Sequence, residues 1–147
     1  MEAQTYLDFE GRCQEALDYY QRTLGAQVVM TMRHGEAPQQ APPGALPPGA
    51  ESKIMHAAFR LGDTLVLATD GACSGKAQFG GFRLVLSVDS AAEVDRVFAA
   101  LADGGTISQP LSATFFSPRF GMLVDRFGVG WAIMVPQSGT SSSSVRS

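Results

Sequence analysis

Two amphipathic helical segments, each preceded by one strand-like segment and followed by three, constrain the fold more than any other feature of this sequence. The first helix is predicted over 12–24, where apolar residues recur at helical spacing and Gly25 follows as a stop signal. The second is predicted over 91–102, where Ser90 and Glu93 have the spacing of a capping box. The apolar stripes are Cys13, Ala16, Leu17, Tyr20 and Leu24 in the first helix, and Val94, Val97, Phe98 and Leu101 in the second.

The segments around the helices have the composition of β-strands, because they are rich in Val, Ile, Leu, Phe and Met and bounded by Gly, Asp or Pro. Their order with the helices is β-α-β-β-β, repeated once, which indicates a duplication. We therefore predict one α+β domain over 1–136, built from units of about 1–70 and 82–136. The predicted strands are 4–9, 27–33, 54–61, 64–69, 82–88, 106–110, 120–125 and 130–135.

Three segments are predicted to lie outside helices and strands. Residues 34–53 hold five of the eight prolines, which remove backbone donors and fix φ. This loop is either a lid or a solvated excursion, and the second interpretation is favoured because long Pro-rich segments are often unstructured. Residues 70–81 form a glycine-rich loop, and the Ser-rich tail 137–147 is expected to be disordered.

Composition excludes several classes of function. A net charge of −3 with only 11 Lys and Arg residues argues against nucleic-acid binding, which needs a basic surface. No apolar run approaches the roughly 20 residues that span a bilayer. The first residues lack the basic and apolar regions of a signal peptide, so we expect a cytoplasmic protein. Cys13 and Cys73 make neither a disulfide framework nor a zinc knuckle.

Four stretches together resemble the vicinal oxygen chelate superfamily (glyoxalase/bleomycin-resistance/dioxygenase), and more narrowly its PhnB-like branch. The resemblance implies two βαβββ units, with curled mixed sheets around a cleft and helices outside, and a homodimer. Arg126 departs from the family pattern, which has proline there. The stretches are Tyr6-Leu7-Asp8-Phe9-Glu10-Gly11, Glu15 to Tyr20 with Leu24-Gly25, Ile54-Met55-His56-Ala57, and Phe120 to Gly128 with Trp131.

The metalloenzymes of this superfamily hold one divalent metal with four cleft-facing side chains. Carried over by the resemblance, those positions fall on Thr5, Val66, Arg83 and Ala132. Thr is a poor ligand, Val and Ala are none, and a guanidinium repels a cation. We therefore expect no divalent metal cofactor. PhnB-like proteins are often labelled as methyltransferase-like, but the glycine-rich first turn and doubly wound order of a methyl-donor site are missing from the sequence.

Strand alternation predicts a mostly apolar cleft that contains two polar residues, His56 and Arg83. His56 is a candidate catalytic base or a hydrogen-bond donor to ligand, and the alternative is a structural histidine bonded to backbone. Arg83 is a candidate anion-binding residue, and the alternative is a salt bridge across the sheet. The predicted ligand-binding set is Thr5, Leu7, Phe9, His56, Val66, Arg83, Val85 and Ala132.

The resemblance and the unsuitable metal positions favour a homodimeric, metal-free protein that binds a small, anionic organic molecule. Two alternatives are open. One is a glyoxalase-like lyase or isomerase, or a dioxygenase relative, with His56 as base and a small anionic metabolite as substrate. The other is a sequestration-type resistance protein that traps its ligand. Fold alone does not decide between them.

Overall fold

A computed structural model gives the fold and describes residues 1–137. Almost all of the predicted tail, 137–147, lies outside these residues. The chain divides into two compact units, Met1–Gln78 and a second unit that begins at Phe79. Each unit has the predicted order of one strand, one helix and three strands. Within residues 1–137, no helix is long and apolar enough to cross a membrane.

The first unit is a four-stranded mixed sheet with one helix. Strand β1 runs parallel to β4, whereas β4–β3 and β3–β2 are antiparallel, which gives the order β1-β4-β3-β2. Helix α1 ends at Gly25, whose φ of 67° is the left-handed conformation that glycine favours. The elements are β1 (Tyr6–Asp8), α1 (Cys13–Leu24), β2 (Gln27–Arg33), β3 (Ile54–Leu61) and β4 (Thr64–Thr69).

The second unit repeats this topology with the strand order β5-β8-β7-β6, in which β5 and β8 are parallel. The Ser90 hydroxyl caps α2 by accepting a hydrogen bond from the Glu93 amide at 3.1 Å, as the sequence predicts. The elements are β5 (Leu84–Ser87), α2 (Ala91–Ala102), β6 (Thr106–Ser112), β7 (Phe120–Val124) and β8 (Gly130–Met134). The predicted α+β class with two βαβββ units is confirmed.

The predicted alternation is wrong by one residue for β1 and β4, whereas for β3 it is correct. The Tyr20 ring of α1 stacks on Phe59 of β3, with centroids 5.9 Å apart, and lies 6.3 Å from the Phe9 ring. Phe59 is opposite Val66 across the β3–β4 pair, so both side chains point toward α1. Three residues predicted to face a cleft are therefore core residues packed on the helix side: Leu7, Phe9 and Val66.

In the second sheet, the face that carries α2 is marked by Gly121 of β7. A Cβ at Gly121 would lie 2.7 Å from the Phe98 ring of α2, and Gly121 is opposite Ile133. Leu86 pairs with Ile133 and so shares this face. Val85 and Ala132, which are opposite each other, lie on the face away from α2.

The Pro-rich loop 34–53 contains only two short 3-10 turns, His34–Glu36 and Ala50–Ser52, which stand at its ends. Most of the loop is exposed. Its ends are joined because the His34 amide donates to the Lys53 carbonyl oxygen at 3.0 Å and the Arg33 guanidinium donates to Ser52 O at 2.7 Å. The prolines thus occupy a closed excursion from the β2–β3 hairpin.

Candidate functional site

The face of the first sheet that points away from α1 carries a Tyr–His pair. Tyr6 lies on β1 and His56 on β3, and the two strands flank β4. The Tyr6 hydroxyl is 3.0 Å from His56 Nδ1, and the two rings meet edge to face at 81°. Tyr6 is 54% exposed, so this polar pair lies at an accessible surface.

Apolar side chains surround the pair. The registers place Met30, Ala58, Leu67 and Tyr6 in one row across the four strands, since Met30 is opposite Ala58, Ala58 opposite Leu67, and Leu67 opposite Tyr6. Met30 is 38% exposed, whereas Ala58 is buried. A partly exposed apolar row beside a hydrogen-bonding pair has the composition of a small-molecule site. We refer to this surface as the open face.

A cation stands at one end of the open face. Arg60 lies four residues after His56 on β3, which places it on the same face about 13 Å along the strand. Its side chain is exposed, and it forms no ion pair with any of residues 1–137. The open face therefore offers a positive charge, an apolar middle and a polar pair to a molecule laid along β3.

Two carboxyl groups stand at the other end. Asp8 and Glu10 share a hydrogen bond, and burial, reinforced by this bond, raises the pKa of Asp8 to about 6. The same bond and the hydrogen bond from Ser74 hold the pKa of Glu10 at about 2. Glu10 also accepts the amides of Ala72 and Ser74 at 3.2 and 3.0 Å. The Asp8 carboxyl therefore titrates at a higher pH than that of Glu10, and Glu10 fixes the loop that follows β4.

A buried carboxylate holds this arrangement together. Asp70, only 1% exposed, accepts the amides of Gly11 and Cys13 through Oδ1 at 2.9 and 2.7 Å, and that of Ile54 through Oδ2 at 2.8 Å. Arg12, at the N-cap of α1, supplies no side-chain cap, so Asp70 takes that role from a distant segment. It joins the end of β1, the start of α1 and the start of β3, which carry Tyr6 and His56.

The structure distributes the predicted site residues over both units. His56 lies on the open face, whereas Leu7, Phe9 and Val66 lie in the core beneath α1 and Thr5 precedes β1. Arg83 immediately precedes β5 and, with Val85 and Ala132, belongs to the second unit. The Arg83 guanidinium donates to the Leu123 carbonyl oxygen at 3.3 Å and makes no ion pair within residues 1–137, so the salt bridge that was the alternative for this residue is not formed there.

Sequence reasoning missed Tyr6, Asp8 and Glu10. The signal for these three was present, because polar residues alternate with Leu7 and Phe9 across the start of the chain. Both cysteines are poor nucleophiles, since burial raises the pKa of the Cys13 thiol to about 12 and also raises that of Cys73.

A divalent metal needs several converging His, Cys or carboxylate ligands. Within residues 1–137 no group of three or more such side chains is placed to hold one. The positions that the family resemblance assigned to metal carry Thr, Val, Arg and Ala, whose side chains do not fit the ion.

Comparison with known proteins identifies relatives over nearly the whole chain. The family model described as 3-demethylubiquinone-9 3-methyltransferase matches residues 2–134. Protein YjdN of Escherichia coli is 39% identical over 135 residues, which cover 88% of this chain and 92% of YjdN. The structure of the PhnB protein from Bacillus cereus is 28% identical, with a TM-score of 0.75 over 92% of this chain and 99% of that one. A glyoxylase/bleomycin resistance protein/dioxygenase domain from Frankia, 15% identical with a TM-score of 0.62 over 95% and 94% of the two chains, shares the fold.

Proposed function

This chain belongs to the PhnB-like family described as 3-demethylubiquinone-9 3-methyltransferase, within the vicinal oxygen chelate superfamily, and from that premise we propose that it binds a small organic anion on the open face. The hydrogen-bonded Tyr6–His56 pair, exposed among apolar side chains, carries the proposal. Such a pair loses water when a ligand covers it, and it then needs the polar group of the ligand as a partner.

The chemistry of the face defines the ligand. The exposed Tyr6 ring and the Met30 side chain favour a flat apolar body. His56 uses Nδ1 for Tyr6, and no other residue among 1–137 bonds its ring, so Nε2 is available to a ligand oxygen. Arg60 attracts an anionic group at the end of the face. We therefore propose an aromatic or unsaturated acid as the ligand class.

The family description names a methyltransferase, and we do not propose that reaction. Methyl transfer from a nucleotide-like donor is commonly built on a doubly wound parallel sheet, whereas each sheet here is mixed and four-stranded. We propose instead that the protein works without a divalent metal, as a cytoplasmic homodimer. Native mass spectrometry of protein purified without chelators tests the metal and the dimer, and cell fractionation tests the compartment.

Ligand binding is tested with 8-anilinonaphthalene-1-sulfonate, an aromatic anion whose fluorescence rises on binding. We expect amide NMR shifts on strands β1, β3 and β4. Tyr6→Phe and His56→Gln are each expected to weaken binding by roughly 2- to 10-fold, the worth of one hydrogen bond. His34→Gln changes the other histidine of the chain and is the matched control. Unchanged affinity in both open-face variants, or NMR shifts elsewhere, would contradict the proposal.

The Tyr6–His56 bond also favours a second candidate, a lyase or isomerase in which His56 removes a proton next to a carbonyl group. The Tyr6 hydroxyl would then fix the orientation and tautomer of the imidazole. Deuterium exchange into hydroxyacetone phosphate in D2O, lost in His56→Gln and retained in His34→Gln, would support an enzyme. Tight binding with no turnover would support the third candidate, sequestration of the ligand.

A further inference from the structure

The second unit has a cavity of its own at the start of β5. Its volume is about 420 Å³, within the range of small-molecule sites. Every lining residue belongs to the second unit. It is lined by Phe79, Gly80, Gly81, Phe82, Arg83, Val124, Gly128 and Gly130.

Arg83 supplies the charge of this cavity. A guanidinium has five N–H donors, and within residues 1–137 that of Arg83 uses one, toward the Leu123 carbonyl oxygen. It has no carboxylate partner among those residues. A cation with four spare donors at the wall of a cavity fits an anionic ligand, since the planar guanidinium matches the two oxygens of a carboxylate.

The other lining residues are apolar side chains or glycines, and they leave space for a ligand. Phe82 is 45% exposed, although a phenylalanine gains by burial, and Phe79 also lines the cavity. Glycines keep the space open, because a Cβ at Gly130 would lie 3.3 Å from Arg83 Cγ and one at Gly128 would lie 3.6 Å from the Phe79 ring. Two aromatic rings beside one cation favour a flat hydrophobic body with a charged end.

We propose that this cavity is a second binding site, specific for a hydrophobic carboxylate whose aromatic or other flat body packs on Phe79 and Phe82 while Arg83 binds its carboxylate. A monoanionic carboxylate suits the site better than a phosphate, because Arg83 is the only cationic residue in the lining and its donors are coplanar. The site does not depend on the function proposed for the open face.

The probe for this site is 2-naphthoate, and its neutral isostere 2-naphthamide tests the charge. Titrations followed by calorimetry and amide NMR are expected to show binding of 2-naphthoate, with shifts at residues 79–83 and 128–130. Arg83→Gln is expected to weaken binding by about 10- to 100-fold, the worth of a hydrogen-bonded charge. Arg83→Lys keeps the charge but loses the two-oxygen geometry, so an intermediate loss is expected.

Three controls accompany these titrations. Arg96→Gln removes the same charge from α2 of the same unit and is expected to bind like the wild type. An amide NMR spectrum shows whether each variant is folded, and Phe82→Ala provides a test that leaves Arg83 intact. The proposal is overturned if wild-type protein binds no 2-naphthoate at 10 mM (about the weakest useful affinity), or if Arg83→Gln and Phe82→Ala both bind normally. Binding lost only in Tyr6→Phe and His56→Gln would also overturn it, and would support the open-face site instead.

Discussion

Replacing Asp70 tests whether one buried carboxylate organises the first unit. Three backbone amides, those of Gly11, Cys13 and Ile54, donate to Asp70 at 2.7–2.9 Å, and the residue is 1% exposed. Asp70→Asn keeps one acceptor oxygen, but its new amide group faces an N–H donor. Asp70→Ala leaves all three amides without an acceptor.

The expected losses follow from the number of unsatisfied donors. A buried donor left without a partner costs about 1–3 kcal/mol, so Asp70→Asn should lower the free energy of unfolding by about that amount. Asp70→Ala should lower it by about 3–5 kcal/mol, close to the largest losses that single substitutions cause. For a chain of this size each kcal/mol corresponds to roughly 2–4 °C in Tm, so Asp70→Asn should melt about 2–12 °C lower.

Urea unfolding measures these losses with two probes. Far-UV circular dichroism follows both units, whereas fluorescence of Trp131, the single tryptophan, follows the second unit. Asp63→Asn makes the same change at an exposed turn residue and should stay within about 0.5 kcal/mol of the wild type. If Asp70→Asn were as stable as Asp63→Asn, the role assigned to the buried carboxylate would be wrong.

Three further predictions concern local features of the chain. Because the folded-state pKa of Asp8 is raised from 3.8 to about 6, its contribution to stability is complete below about pH 4 and is lost as the pH rises through 6; Asp8→Asn should remove that decline from a series of denaturant titrations. A Cβ at Gly71 would overlap the carboxyl oxygens of Asp8 and Glu10, whereas one at Gly62 meets nothing within 4 Å, and φ is similar at both, 54° and 58°. The free energy of unfolding should therefore fall by about 1–2 kcal/mol in both Ala variants. Only Gly71→Ala should also lower the pKa of Asp8, measured by carboxyl NMR, because only its methyl group would push the two carboxyl groups apart. Ser90→Ala removes the cap of α2 and should cost about 1 kcal/mol by thermal unfolding, with Ser112→Ala as the uncapped control.

Local sequence signals were sufficient for most of the elements. The bounds of α2, β2, β3 and β4 agree with prediction residue for residue, because each has a clear apolar pattern between strong boundary residues. Strand β1 is shorter than predicted, since it ends at Asp8 and Glu10 then adopts a left-handed φ of 47°. That conformation turns the chain toward α1, and the amino-acid pattern of residues 4–9 does not predict this turn.

The phase of alternation could not be taken from β4. Its central residues, Leu65-Val66-Leu67-Ala68, are apolar on both faces, so either assignment of the faces satisfies the pattern. The positions expected from metalloenzyme relatives then selected the wrong one. The pattern around β1 does indicate which face is buried. Asp8 and Glu10 flank Phe9, and two carboxyl groups do not enter a core that a phenylalanine can fill.

The candidate sites depend on contacts between residues far apart in sequence. Tyr6 and His56 are 50 positions apart, and their hydrogen bond exists because β4 lies between β1 and β3 in the sheet. The bond from the Ser74 amide to Glu10 spans 64 positions. A sequence without its register cannot indicate such pairs, so sequence analysis identified His56 and Arg83 individually but not their surroundings.

The degree to which each polar group is already bonded separates structural from functional candidates in this chain. Asp125, like Asp70, is buried and accepts three hydrogen bonds, from the Phe127 and Val129 amides and Trp131 Nε1 at 2.8–3.0 Å. Such groups have little capacity left for a ligand and are explained by the fold. His56 and Arg83 each make one hydrogen bond within residues 1–137 and stand beside exposed aromatic rings. The fold leaves their remaining donors and acceptors to water or to a ligand, and the binding experiments proposed above distinguish the two.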